Sequence, residues 1–474
     1  MAQLRRAAAD TLYADLAVVN GRLVTPAGVI PGGLVIERGR IVRLLRPNAE
    51  VGAATVIDAG GCYVLPGLID SHVHFRTPGL THKEDWEHAS RAAAAGGVTT
   101  VIDMPNTDPP LLDLAGGEQR AKLVAGRSLV DFRFHPGVDE ASVRRLAAPG
   151  ADQAVSVKVF MAGHHTARHV IRDQRVLEDV FAHAAQAGVR VLLHAEDDAV
   201  FALLDRARGL GSMTGGYECT RPRSGAIVAV ARVIELVRRH RTAAHVLHVS
   251  SAEEVDMLSA AAAAGLPLTF EVTAHHLSFT AADVDRVGPR LWLSPAIRRP
   301  EDRERLWDAV LDGEVATIGS DHAPHTREEK AQPGLGAPPG LPGVQEMLPA
   351  LHTGLVERLP GRPDERMALI ATLLAAAPAD LFGLGARKGR LAAGLDGDVV
   401  IFDSAAEWTF DAAIVQARCG WSAYEGWQMV GRPITTIRRG EVIWTAATGA
   451  FGSPDGVFLR VEPAVAPATA LHAV

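Results

Sequence analysis

Six residues carry side chains that could together hold metal ions: His72, His74, Lys158, His194, His248 and Asp321. They fall in or just after short apolar runs: LIDSHVHF, VSVKVFMA, VRVLLHAE, AHVLHVSS and VATIGSDHAPH. His72 and His74 are two apart on an expected strand, so both rings point to one side and form a ready chelate for a divalent cation. Lys158 lies between Val157 and Val159, and a lysine is almost never buried without a partner. A single strand-end histidine is more often a surface or hydrogen-bonded residue than a ligand. Six such residues in this order point instead to a metal site, whose chemistry is the activation of a water molecule.

The elements that must position them are short strands alternating with helical patterns. Candidate strands are LIDSHVHF, VTTVIDMP, DFRFHPG, VSVKVFMA, VRVLLHAE, AHVLHVSS, LTFEVTAHH and VATIGSDHAPH. Between them, DWEHASRAAAAGG, QRVLEDVFAHAAQAG, SGAIVAVARVIELVRRH and AEEVDMLSAAAAAG carry apolar residues at three- and four-residue spacing. Eight such units predict an α/β fold, a (β/α)₈ TIM-like barrel over residues 66–385, with the six residues at the C-terminal face of its strands. No GxGxxG opens the first helix, which argues against a dinucleotide fold. ADLAVVNGRLVT, GGLVIERGRIVRLL and ATVIDAGGCYVL read as a small antiparallel sheet in residues 1–65. DGDVVIFD and PITTIRRGEVIW repeat that texture in 386–445, so both chain termini are expected to build one small β-sandwich domain. Residues 446–474, rich in Ala, Pro and Val, are expected to form a tail.

Bulk properties restrict the function classes. Of 474 residues, 47% are hydrophobic and 22% charged, as in ordinary globular proteins. A net charge of -7 leaves no electrostatic footprint for nucleic acid. The basic run Arg238, Arg239, His240, Arg241 ends a helical pattern, where cations favour the helix terminus. Cys62, Cys219 and Cys419 are too dispersed for a disulfide framework or a thiolate zinc site. The N-terminus has no apolar signal region and no apolar run approaches a membrane span, so a cytoplasmic protein is expected.

The strings GLIDSHVHFRTPG, KVFM, LLHAED, HVLHVSS and GSDHAPHTREEK resemble the amidohydrolase superfamily, specifically the branch of dihydroorotase, allantoinase and hydantoinase. The resemblance is nearest to dihydroorotase and extends to the late SAYEGWQMVGRPITTIRRGEVIW. It implies two divalent metal ions, zinc foremost, with manganese or cobalt as other occupants. His72, His74 and Asp321 would hold the more buried metal, and His194 and His248 the second. Lys158, carboxylated by CO₂, would bridge both. Asp321 would move the proton between the attacking water and the departing ring nitrogen, and Asp70 would support a ligand histidine from behind.

Arg76, Asn106 and His325 resemble the residues with which dihydroorotases hold the substrate carboxylate, a task suited to the planar donor fork of arginine. GAPPGLPGVQE resembles the segment that covers the pyrimidine ring. From the residues alone, Arg76 could instead pair with Glu84 or Asp85, and Asn106 could be a turn residue beside Pro105. Departures cluster around the ring. Thr77 stands where dihydroorotases usually have Glu, SPAIR from Ser294 to Arg298 replaces NPPLR, and TAHHL replaces TPHHL. The implied activity is hydrolytic opening, or closing, of a cyclic amide such as dihydroorotate. Allantoinase- or hydantoinase-type ring hydrolysis is the alternative, and a metal-free dihydroorotase-like scaffold the remote one. The implied partners are a carboxylated small-molecule substrate and further copies of the chain, in a homodimer or homotetramer.

Overall fold

A computed structural model describes residues 14–147, 154–163, 165–167, 169–208 and 216–460. His164 and the part of the expected tail from residue 461 onward lie outside the described residues. The eight expected barrel strands are all present: β6 (Leu68–Val73), β7 (Val98–Asp103), β8 (Asp131–Phe134), β9 (Ser156–Phe160), β10 (Arg190–His194), β11 (Ala244–Val246), β12 (Leu268–Thr273) and β13 (Thr317–Gly319). They follow β1 (Ala14–Thr25), β2 (Gly28–Glu37), β3 (Arg40–Leu45), β4 (Ala53–Asp58) and β5 (Tyr63–Pro66). Every ladder within the set β6–β13 is parallel. Two single bridges close the ring, Gly137 with Lys158 and Val73 with His322. The result is a TIM-barrel-type fold.

Local chemistry sets the crossovers. Asp85 caps helix Trp86–Ala95 by accepting from His88 N, and Asp173 caps Gln174–Ala187. Helix Ala252–Ala263 opens on a capping box in which Ser251 and Glu254 satisfy each other's backbone amides. Buried residues between strands and helices, such as Val101, Phe132, Val233 and Leu258, form the main core. Inside the barrel, Ile69, Ile102, Leu192 and Leu247 pack with Phe382, Leu384 and Leu459. Active-site groups can therefore sit only above this apolar plug. Among the described residues no helix is long and apolar enough to cross a membrane.

One eight-stranded sheet joins β1–β5 with β14 (Val399–Thr409), β15 (Gln428–Arg438) and β16 (Glu441–Thr445) from the other end of the chain. It is mixed, not antiparallel as the sequence suggests. β1 pairs antiparallel with β2 but parallel with both β4 and β5. The connection after β3 carries the chain back across the sheet before β4, which a hairpin meander would not do. Residues 446–460 return to the barrel: Phe458 stacks on Phe134, and Leu459 is wholly buried among the plug residues.

Candidate active site

The strands bring all six chemically marked residues to one cavity. His72, His74, Lys158, His194, His248 and Asp321 line it together with Arg76, Phe160, Thr166, Ser294, Pro339 and Gly340. Its free volume is about 20 Å³, less than the share of one liquid water. Pro339 and Gly340, in the segment expected to cover a ring, form part of its wall. His248, Asp321 and Arg76 adopt φ of 40°, 44° and 59°. That left-handed backbone costs a non-glycine residue about 1–3 kcal/mol and is characteristically tolerated at functional sites.

Within the cavity, Asp321 Oδ1 lies 3.1 Å from His74 Nε2 and 3.4 Å from His72 Nε2. The ligand atoms of these three residues all lie within 4.8 Å of one another, a group that could hold a metal ion. His194 Nδ1 and His248 Nε2 face each other at 3.1 Å. Lys158 Nζ is buried, has no hydrogen-bond partner among the described residues, and sits 4.6 Å from the Phe160 ring centroid. His248 Nδ1 and Glu271 Oε2 are likewise buried without partners among those residues. Unpaired buried donors and acceptors are costly, and their convergence beside the His–His–Asp group fits a site that could receive a metal ion.

Burial also sets the protonation states. It pushes His72 down to about 3 and His74 and His248 well below the usual histidine range, and it lowers His194. All four rings are therefore neutral at pH 7, the form in which an imidazole can bind a metal ion. Burial pushes Lys158 down to about 7, only partly opposed by Asp321 and Glu271, so a neutral amine is accessible. Glu271 rises to about 8, through burial and then the Asp321 charge.

A second set of residues fixes the rings. Glu271 Oε1 on β12 lies 2.7 Å from His72 Nδ1, and Asn106 Oδ1 accepts from His74 Nδ1 at 2.7 Å. Both contacts leave Nε2 of the two rings facing Asp321 in the cavity. Glu196 Oε2 contacts His194 Nε2 at 2.9 Å and accepts from Ser294 Oγ at 2.9 Å. Burial alone would raise Glu196, but Arg221, His194 and Arg298 outweigh it and hold the carboxyl at about 2. Sequence reasoning misses both Glu271 and Glu196. Glu271 carries the signal that marks Lys158, a charge inside an apolar strand, and Glu196 follows His194 at a two-residue interval. Asp70 supports the backbone, accepting from His72 N at 3.1 Å and Ser320 N at 3.2 Å, and not a ligand ring.

Of the three expected substrate residues, Arg76 lines the cavity and is 2% exposed, donating from Nη1 to Thr166 Oγ1 at 3.2 Å. It bonds to neither Glu84 nor Asp85: Glu84 accepts from His322 Nε2 and Arg418 N, and Asp85 pairs with His88. Asn106 and His325 are not among the lining residues. Asn106 is engaged by His74 and by Thr166, and His325 Nδ1 contacts Lys83 Nζ at 3.0 Å.

Residues 63–443 match the amidohydrolase family. The chain is 37% identical over 429 residues to a dihydroorotase of Halobacterium salinarum, covering 87% of this chain and 96% of that protein. It is 32% identical over 451 residues to an allantoinase of Streptomyces avermitilis, covering 95% and 99%. In three dimensions it is similar to the L-hydantoinase (dihydropyrimidinase) of Arthrobacter aurescens, with a TM-score of 0.87, 29% identity, and 94% and 100% of the two chains covered. A match of this extent, together with a His–His–Asp group and an unpartnered buried lysine at the strand ends of the barrel, makes the chain a member of the amidohydrolase family.

Proposed function

We propose that the chain is a cyclic amidohydrolase that opens a carboxylated ring, with dihydroorotate, hydrolysed to N-carbamoyl-aspartate, as the ring its site suits best. The observation that carries this reading is Arg76, a buried guanidinium on the wall of the cavity that also holds the histidines and Asp321. Its planar donor fork matches a carboxylate, and only an anion compensates such a charge out of water.

In this reading His72, His74 and Asp321 would hold one divalent cation, and His194 and His248 a second. Lys158, carboxylated by CO₂, would supply a further anionic ligand, and zinc would suit the imidazole and carboxylate donors. When bound, the metals supply Lewis acidity and lower the pKa of water. The protein does the rest. Glu271 and Asn106 hold the His72 and His74 rings in place, with Nε2 toward the cavity. Asp321 takes the proton of the attacking water and delivers it to the departing ring nitrogen. Arg76 anchors the ring carboxylate, while Asn106 and His325 support that end of the site from behind.

Ser294 favours a second reading, allantoinase- or hydantoinase-type hydrolysis, because its hydroxyl donates to Glu196 and supplies no amide to a pyrimidine ring. As parts of the same reading, the eight-stranded sheet is a β-sandwich domain spanning residues 1–65 and 386–445 beside a barrel over 66–385. The protein works in the cytoplasm as a homodimer or homotetramer.

Arg76→Met tests the substrate class. It should lower kcat/KM for dihydroorotate by roughly 2–4 kcal/mol, because the substrate anion loses its partner. Metal content should stay normal, and an uncharged ring such as hydantoin should be little affected. Equal losses on both rings would remove Arg76 from carboxylate recognition.

A further inference from the structure

A second cavity enters the barrel from the side. Among the described residues β8 and β9 share no ladder. Among the described residues the backbone bonds across this seam are near Lys158, whose N donates to Pro136 O at 2.8 Å and whose O accepts from Val138 N at 3.0 Å. A cavity of about 230 Å³ occupies this seam, between Arg133–Pro136 at the end of β8 and Ala154–Ser156 at the start of β9. It shares no lining residue with the cavity around Asp321. Its walls are largely apolar, with Leu111, Phe382 and Phe458 prominent, and exposed Ala115 and Glu118 lie at its rim.

Besides His135 and Ser156, and the exposed Glu118–Arg460 pair at the rim, the polar group in this lining is the buried guanidinium of Arg133. On β8 it is 7% exposed, and its one guanidinium bond among the described residues runs from Nη1 to the Phe382 carbonyl at 3.0 Å. Among the described residues no carboxylate pairs with it. Buried Arg438, by contrast, has Glu441, and buried Arg298 has Glu218 at 3.6 Å. At the rim, Glu118 is already engaged by Arg460 at 2.7 Å. Burial pushes the Arg133 guanidinium down to about 10, with no acid among the described residues acting against it. A buried cation with spare donors, facing a cavity, calls for an anion from solution.

We propose that this side cavity is a binding site for a small organic monocarboxylate with an apolar body, separate from the catalytic cavity. A single guanidinium selects a single negative charge, and the apolar walls select a ring or branched chain over an inorganic ion. The volume equals that of roughly eight waters, enough for a one-ring acid. The bound acid would lie against Ser156, whose hydroxyl is 2.7 Å from His135 Nδ1, while His135 Nε2 lies 3.1 Å from Ser71 O. It would thus border the strand that carries Lys158 without touching Lys158.

Calorimetric titration of the purified protein with benzoate, and with benzyl alcohol as its neutral counterpart, tests this. Benzoate should bind saturably at one site per chain and benzyl alcohol much more weakly. Arg133→Met should weaken benzoate by at least about tenfold, the loss expected for one charged hydrogen-bonded contact. Ala115→Trp, which narrows the mouth from an exposed position and leaves the core alone, should do the same even if Arg133→Met does not fold. Arg76→Met should leave the affinity within about twofold, as for an independent site. Absence of saturable binding up to about 10 mM, a level of negligible affinity, would overturn the proposal. So would unchanged binding in Ala115→Trp, equal binding of the alcohol, or loss of binding in Arg76→Met.

Discussion

Lys158 declares itself through its two neighbours in the chain. A lysine between valines has no cheap place in a barrel wall, and the fold gives it none: its amine is buried without a hydrogen bond among the described residues. Lys158→Ala should therefore lose most bound metal and nearly all turnover, and short-chain carboxylic acids should restore part of both by filling the vacated bridge. Elemental analysis alongside kinetics checks this; full metal content in the variant would exclude a bridging lysine. Glu271 carries the same signal in LTFEVT, yet glutamate between a Phe and a Val looks like ordinary strand alternation. Only the tertiary fold brings it 2.7 Å from a ring 199 residues away. Asn106 is legible as a polar residue of the site, but its bond to His74 is not, since a side-chain amide serves a ring or a substrate equally well.

At the scale of elements, the eight barrel strands are legible because each is a short apolar run bounded by turns. The pairing of the outer sheet is not. Strand sequences carry little information on whether β1 meets β4 in parallel or antiparallel, because the alternation of side chains is the same in both. The segment around Gly340 is a further case, since its sequence suggests a cover but not its tightness. Gly340 has φ of +123°, and a Cβ there would lie 2.5 Å from the Ala323 carbonyl oxygen. Gly340→Ala should displace this wall at a cost of about 1–3 kcal/mol. KM should rise more than kcat falls, with metal content unchanged. A variant with wild-type KM would show that the wall has no part in holding the ring.

Across the whole molecule, barrel and sheet are joined by a buried charge cluster that no sequence spacing announces. Lys388 Nζ lies 2.6 Å from Asp131 at the start of β8, 2.7 Å from Asp398 just before β14, and 3.1 Å from Asp396. Burial would lower this lysine, but the Asp131, Asp398 and Asp396 carboxylates outweigh it and hold it above the ordinary 10.5. A raised folded value means that its contribution is complete below about pH 10.5 and is lost as pH rises through the folded value. Lys388→Met should destabilise the protein by roughly 3–5 kcal/mol, as expected when one member of a buried ionic group is removed. In denaturant titrations the gap from wild type should be constant between about pH 7 and 9 and narrow above about 10.5. A gap that widens at alkaline pH would reverse the assignment.

The central claim, metal-dependent opening of a carboxylated ring, is met most directly by one turnover measurement. The purified protein is assayed against dihydroorotate, allantoin, hydantoin and dihydrouracil, before and after removal of metal by a chelator and after zinc is returned. Dihydroorotate should be the best substrate by kcat/KM, with turnover abolished by chelation and regained with zinc. Preference for an uncharged ring would contradict the substrate class, and undiminished turnover in the chelated protein would contradict the metal site itself.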